Sequence, residues 1–140
     1  EPPPAWFQSL ESVPGLDARR GLEKLGGRTA TYHKLLGLFL SSHAEDVARL
    51  RQHLAAGENR EAFRLAHSLK GAAGTLAAIE VEAAARALQD SLDETAAAGG
   101  AGPALEALAT ALDRLLPALR ATMATATPLP LEQPESRQDI

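Results

Sequence analysis

Ala66-His67-Ser68-Leu69-Lys70-Gly71-Ala72-Ala73-Gly74 is the stretch whose reading decides the fold, because it patterns as amphipathic helix. At about 100° per residue, Lys70, Gly71 and Gly74 each fall within roughly 60° of His67 on one side. Ala62, Leu65, Ala66, Leu69, Ala73 and Leu76 fall on the other side and form a core-facing stripe. The imidazole therefore stands on the polar face. One turn beyond it are a cation on one flank and a residue without a side chain on the other. Two glycines inside a helix each cost about 1 kcal/mol relative to alanine, which points to close approach by something from outside. A nucleophilic nitrogen, a positive charge beside it and cleared space around it suit a site that accepts a phosphoryl group from a visiting protein.

Outward from that helix the pattern stays helical. Upstream, a long helix is expected from Thr29 or Thr31 to about Ala56, with Gly57 as its stop. Its apolar positions are Tyr32, Leu35, Leu36, Phe39, Leu40, Val47, Leu50 and Leu54. Asn59 is the expected cap of the helix carrying His67, which should end near Ala77. Downstream, Glu80 to about Ala97 reads as a helix with Val81, Ala84, Ala85, Leu88 and Leu92 as its stripe. Gly99 to Pro103 break the pattern. A last helix from about Pro103 to Met123 presents Leu105, Leu108, Leu112, Leu115, Leu116 and Leu119, with Pro117 expected to kink or weaken it. At the start, Ala5 to Ser12 suit a short helix with Trp6, Phe7 and Leu10 on its apolar side. Asp17 is placed to cap another that ends at Gly26-Gly27. Four long amphipathic helices with short links predict an all-α, antiparallel up-down four-helix bundle, with the short N-terminal helices closing one end. The expected organisation is a linker and short helix over 1–12, the bundle domain over 13–123, and a disordered tail over 124–140, where prolines and polar residues break the pattern.

Composition narrows the function classes. The 140 residues carry a net charge of −4, which with no long basic run argues against nucleic acid as a partner. Aromatic residues make up only 4% and alanine is abundant, favouring closely packed helices over a sheet. There is no cysteine, so thiolate chemistry and cysteine zinc sites are excluded, in keeping with a cytoplasmic setting. No apolar run is long enough to span a bilayer, so no membrane contact by this domain is expected, although a parent chain can still be membrane-anchored. The opening Glu1-Pro2-Pro3-Pro4 reads as a cut at a linker within a longer protein.

The spacing His67-Ser68-Leu69-Lys70-Gly71-Ala72-Ala73-Gly74-Thr75-Leu76-Ala77-Ala78 resembles the histidine-containing phosphotransfer (HPt) domain of bacterial and fungal multistep phosphorelays. The likeness continues upstream in Val13-Pro14-Gly15-Leu16-Asp17 and in Gly21-Leu22-Glu23-Lys24-Leu25-Gly26-Gly27, a lead-in common among bacterial members, and covers most of 13–122. One departure is Ala77, where a glycine often stands ten residues after the histidine. It bears on helix packing rather than on the site. The resemblance implies a phosphorelay intermediate, taken from a bacterial hybrid sensor kinase or free-standing. Its His67 would accept a phosphoryl group from a receiver-domain aspartate and pass it to another. It also implies a role for Gln89, twenty-two residues after His67, where some members have a glutamine that hydrogen-bonds the imidazole and orients it.

Chemistry supports the same assignment. Imidazole is partly neutral near pH 7, so a ring nitrogen has a lone pair for attack on phosphorus. In-line transfer needs positioning and charge neutralisation more than covalent help, and Lys70 can supply part of that charge. No acidic cluster surrounds His67, so no intrinsic cofactor or metal is expected and Mg2+ would come with the receiver. Phe63 and Arg64, one turn before His67, and Gly71 and Gly74 after it are candidates for a docking patch. His33, His43 and His53 are spaced by tens, which does not align them for metal binding. No nucleotide-binding loop is present, so self-phosphorylation is not expected. Two other classes stand beside this one. The dimerisation and phosphoacceptor domain of a histidine kinase usually follows its histidine with an acidic residue and soon a proline, whereas Ser68 and Leu69 follow here. It is also an obligate dimer, against the monomer expected from four helices in one chain. A binding-only helical adaptor would bind receivers without taking up phosphoryl groups.

Overall fold

The computed structural model describes residues 4–92 and 101–125. Among them are seven helices and no strand: α1 (Ala5–Leu10), α2 (Ala18–Lys24), α3 (Thr29–His43), α4 (Asp46–Ala55), α5 (Asn59–Leu76), α6 (Ile79–Ser91) and α7 (Ala101–Thr125). Four rods make the bundle: α3 with α4 as one broken rod, then α5, α6 and α7. The apolar stripes meet along one core that holds Leu36, Leu50, Leu69, Leu88, Leu108 and Leu119 fully out of solvent. On the surface Arg51 ties α4 to Glu106 of α7 at 2.6 Å, and that hydrogen bond and charge hold the Glu106 carboxyl below its usual range.

The long helix expected from Thr29 to Ala56 is two helices. The chain turns at Ala44 and Glu45, and Glu45 leaves helical geometry at φ −105°, ψ 10°. A buried carboxylate sits at the break. The Asp46 side chain is buried, and its two oxygens take His43 Nδ1 at 2.6 Å from the end of α3 and Arg49 Nη1 at 3.2 Å from the start of α4. Both bonds join side chains three residues apart, so Asp46 links the end of α3 to the first turn of α4 across the turn. Gly57, at φ +74°, ends α4 as expected. Asn59 does not cap α5: it is the first helical residue, and the N-cap is Glu58, whose carboxylate bonds His53 Nδ1 at 2.9 Å instead of the helix N–H groups. The described part of α6 ends at Ser91, and the expected extension to Ala97 lies outside the described residues, as do residues 1–3 and the tail from 126. The last helix starts at Ala101, with Pro103 in its first turn, where a missing N–H costs nothing. It runs through Pro117 to Thr125, with Leu115 and Leu119 on either side of the proline buried in the core.

The N-terminal helices close the end of the bundle where α5 gives way to α6. In α1, Trp6, Phe7 and Leu10 are buried in the common core, so packing extends upstream of residue 13. Asp17 caps α2 by accepting from Arg20 N–H at 3.2 Å, and Gly26 and Gly27, both at positive φ, end it. Ala77 is the left-handed residue that ends α5, at φ +61°, and it is 2% exposed. Glycine is favoured at that place for a backbone reason, since only glycine is free of the Cβ penalty in this region. Among the described residues no helix is long and apolar enough to cross a membrane.

Candidate functional site

His67 sits midway along α5, and its ring is exposed. The helix presents it because the opposite stripe is fully committed. Ala62, Ala66, Leu69 and Ala73 are at 0% exposure, while Leu65 is half-buried, so the polar face has one direction to point. Across from His67, α6 turns Gln89 toward it, and Nδ1 lies 2.9 Å from Gln89 Oε1. In the neutral ring, with the amide oxygen as partner, Nδ1 is the nitrogen that carries the proton and donates it. That leaves Nε2 with its lone pair and no hydrogen-bond partner among the described residues. Phe63, one turn earlier and half-buried, lies parallel to the imidazole within 3°, with ring centroids 6.4 Å apart. The ring is thus held by a hydrogen bond on one edge and an aromatic neighbour below.

Lys70 is half-buried one turn further on, and no carboxylate among the described residues pairs with it. Arg64 is exposed and 4.0 Å from Glu61. Gly71 is exposed, and a Cβ built there would meet nothing within 4 Å, so the space beside His67 is open solvent. Gly74 is different. A Cβ there would come within 3.0 Å of Glu82 Oε2 from α6, so this glycine also accommodates a neighbouring helix. A shallow, mainly apolar groove of about 190 Å3 runs between α3 and α5, lined by Leu35, Leu38, Phe39, Ala72 and Leu76 together with Ser42, His43 and Thr75.

The C-terminal end of this helix is held by contacts that the sequence pattern does not reveal. Helix-end carbonyls lack intrahelical partners. Here Gly74 O accepts from Lys24 Nζ at 2.6 Å, Leu76 O from Tyr32 Oη at 2.8 Å, and Ala77 O from the Asp17 N–H at 2.8 Å. Burial, with the Asp17 carboxylate nearby, holds the Tyr32 phenol well above its ordinary range, so it remains a donor. Gly21 permits the approach: a Cβ there would lie 2.6 Å from Leu76 O and 2.5 Å from Tyr32 Oη. The lead-in motif marks Gly21 and Lys24 as a segment, but nothing in its spacing says which carbonyls it reaches. Among the described residues no cluster of three or more histidines and carboxylates is arranged to hold a metal ion.

The exposed imidazole of His67 thus stands midway along α5, the second long rod of a helical bundle. Residues 34–122 match the family model of the Hpt domain, and the chain belongs to that family. It is therefore a component of phosphorelay signalling of the two-component type, in which a phosphohistidine carries the signal. No curated protein and no solved structure compared with the chain matches it significantly.

Proposed function

We propose that the chain is a phosphorelay intermediate in which His67 accepts a phosphoryl group from a receiver-domain aspartate and passes it to the aspartate of another. The observation that carries this reading is the exposed imidazole of His67, with Nδ1 bonded to Gln89 and Nε2 unpartnered among the described residues. The Nε2 lone pair attacks the phosphorus of the aspartyl phosphate. The P–O bond breaks, and its electron pair returns to the carboxylate. Positive charge develops on the ring, and the proton kept at Nδ1 strengthens its bond to Gln89 Oε1. In the onward step a second receiver's carboxylate oxygen bonds phosphorus while the N–P bond breaks and its pair returns to Nε2. Lys70 offsets charge on the transferring oxygens, and the receiver brings its own Mg2+.

Phe63, Arg64, Gly71 and Gly74 are assigned to docking, Gly74 with the packing role described above. The bundle is completed within one chain, which supports action as a monomer. A partner set of receiver domains implies a cytoplasmic location, whether or not a parent protein is membrane-anchored. The chain receives and delivers phosphoryl groups without autokinase activity. Incubation with receiver domains carrying a labelled phosphoryl group tests the reading. The native chain should take up label, and His67→Gln, equally helical by circular dichroism, should take up none. Uptake by the variant would falsify the assignment.

A further inference from the structure

Not every cation that reaches α5 belongs to α5. Lys24, the last residue of α2, crosses to α5 and donates from Nζ to the main-chain oxygen of Gly74 at 2.6 Å. Gly74 lies two turns beyond His67, within about 20° of it around the helix and about 10 Å along the axis. An ammonium has three donors, so two remain after the Gly74 bond, and no carboxylate among the described residues pairs with this one.

Charge along α5 points the same way. The helix carries Arg60, Arg64 and Lys70 against the single acid Glu61, in a chain whose net charge is −4. On α6, Glu82 is matched by Arg86 at 3.3 Å. The stripe that runs past His67 to Lys24 is therefore net positive. Size decides whether a visitor reaches its far end. A standard interface buries about 800 Å2 on each partner, a disc of about 16 Å radius, and a weak transient one of about 500 Å2 still reaches about 13 Å. A partner centred on His67 covers Gly74 in either case.

We propose that Lys24 is part of the docking face, a cation supplied by α2 from outside the family-matched residues 34–122, and that it meets acidic side chains on the rim of the visiting receiver domain. The inference rests on the phosphotransfer reading. A charge at the rim of an interface acts mainly on encounter rate and salt dependence, whereas a mere helix cap acts on stability. The test is the rate of phosphoryl uptake from labelled receiver domains at varied receiver concentration and salt, using the 140-residue chain. Lys24→Glu should raise the apparent KM by about three- to tenfold at low salt with little change in kcat, and the difference should shrink as salt rises. Lys24→Met, which keeps the stem, should give a smaller rise, and Lys24→Arg should restore the native KM. Thermal melts of all three report any loss of the cap separately. An unchanged KM in Lys24→Glu overturns the inference while leaving phosphotransfer intact. So does a rise that salt does not alter and Lys24→Arg does not rescue. No uptake by the native chain from any receiver overturns both.

Discussion

In the proposed transfer, the 2.9 Å contact from Nδ1 of His67 to Gln89 Oε1 selects Nε2 as the nitrogen that attacks. Gln89→Leu removes the acceptor and leaves the tautomer and ring angle unfixed. Phosphoryl uptake by that variant should be roughly three- to tenfold slower, with thermal stability close to native because the site is at the surface. Uptake at the native rate would leave Gln89 without a positioning role. At this scale the sequence was informative where chemistry and helical period coincide: His67, Lys70 and Gly71 share a face by spacing alone. Gln89 was reachable only through the resemblance, since its partner is on another helix. Gly74 was half legible. Its place on the His67 face follows from the period, but its closeness to Glu82 depends on how α6 crosses α5.

Helix α5 is held at its C-terminal end by α2 and by the start of α3, through bonds to the carbonyls of Gly74, Leu76 and Ala77. Gly21 is the residue on which that arrangement turns. Gly21→Ala should cost about 2–3 kcal/mol of stability in urea denaturation, because its Cβ would press on a backbone oxygen that cannot swing away. A variant as stable as the native chain would show that α2 does not sit so close. Element boundaries were legible where a residue type dictates backbone, as at Asp17, Gly26-Gly27 and Gly57. The break between α3 and α4 was harder. Tyr32, Leu36, Phe39, His43, Asp46 and Leu50 follow one stripe at spacings of three and four, so His43 and Asp46 stood at core positions in plain view. Polar residues at such positions signal a local bond rather than a surface. What a one-dimensional pattern does not carry is that the Asp46 carboxylate draws on both flanking helices.

Across the whole molecule, α1 is buried against the bundle through Trp6, whose ring meets His33 edge-on at 4.9 Å between centroids. The His33 Nε2 atom is buried with no hydrogen-bond partner among the described residues, and burial lowers the imidazole pKa below its ordinary 6.5. The unfolded chain then binds the extra proton first, so His33 contributes stability that is present above about pH 6.5 and declines as pH falls below it. Melting temperatures measured at pH 7.5 and 5.5 should differ less for His33→Phe than for the native chain; an equal difference would remove His33 from the pH response. The bundle was legible from four apolar stripes and short links. How α1 and α2 close it was legible only as an end that needs covering, because the contacts join residues far apart in sequence. The most direct test of His67 as an attacking Nε2 nitrogen is 15N NMR of the chain after phosphoryl transfer from a receiver, which distinguishes the two phosphohistidine isomers. A single phosphoryl group on Nε2 of His67 is the predicted result; phosphorylation at Nδ1, or at any other residue, would contradict it.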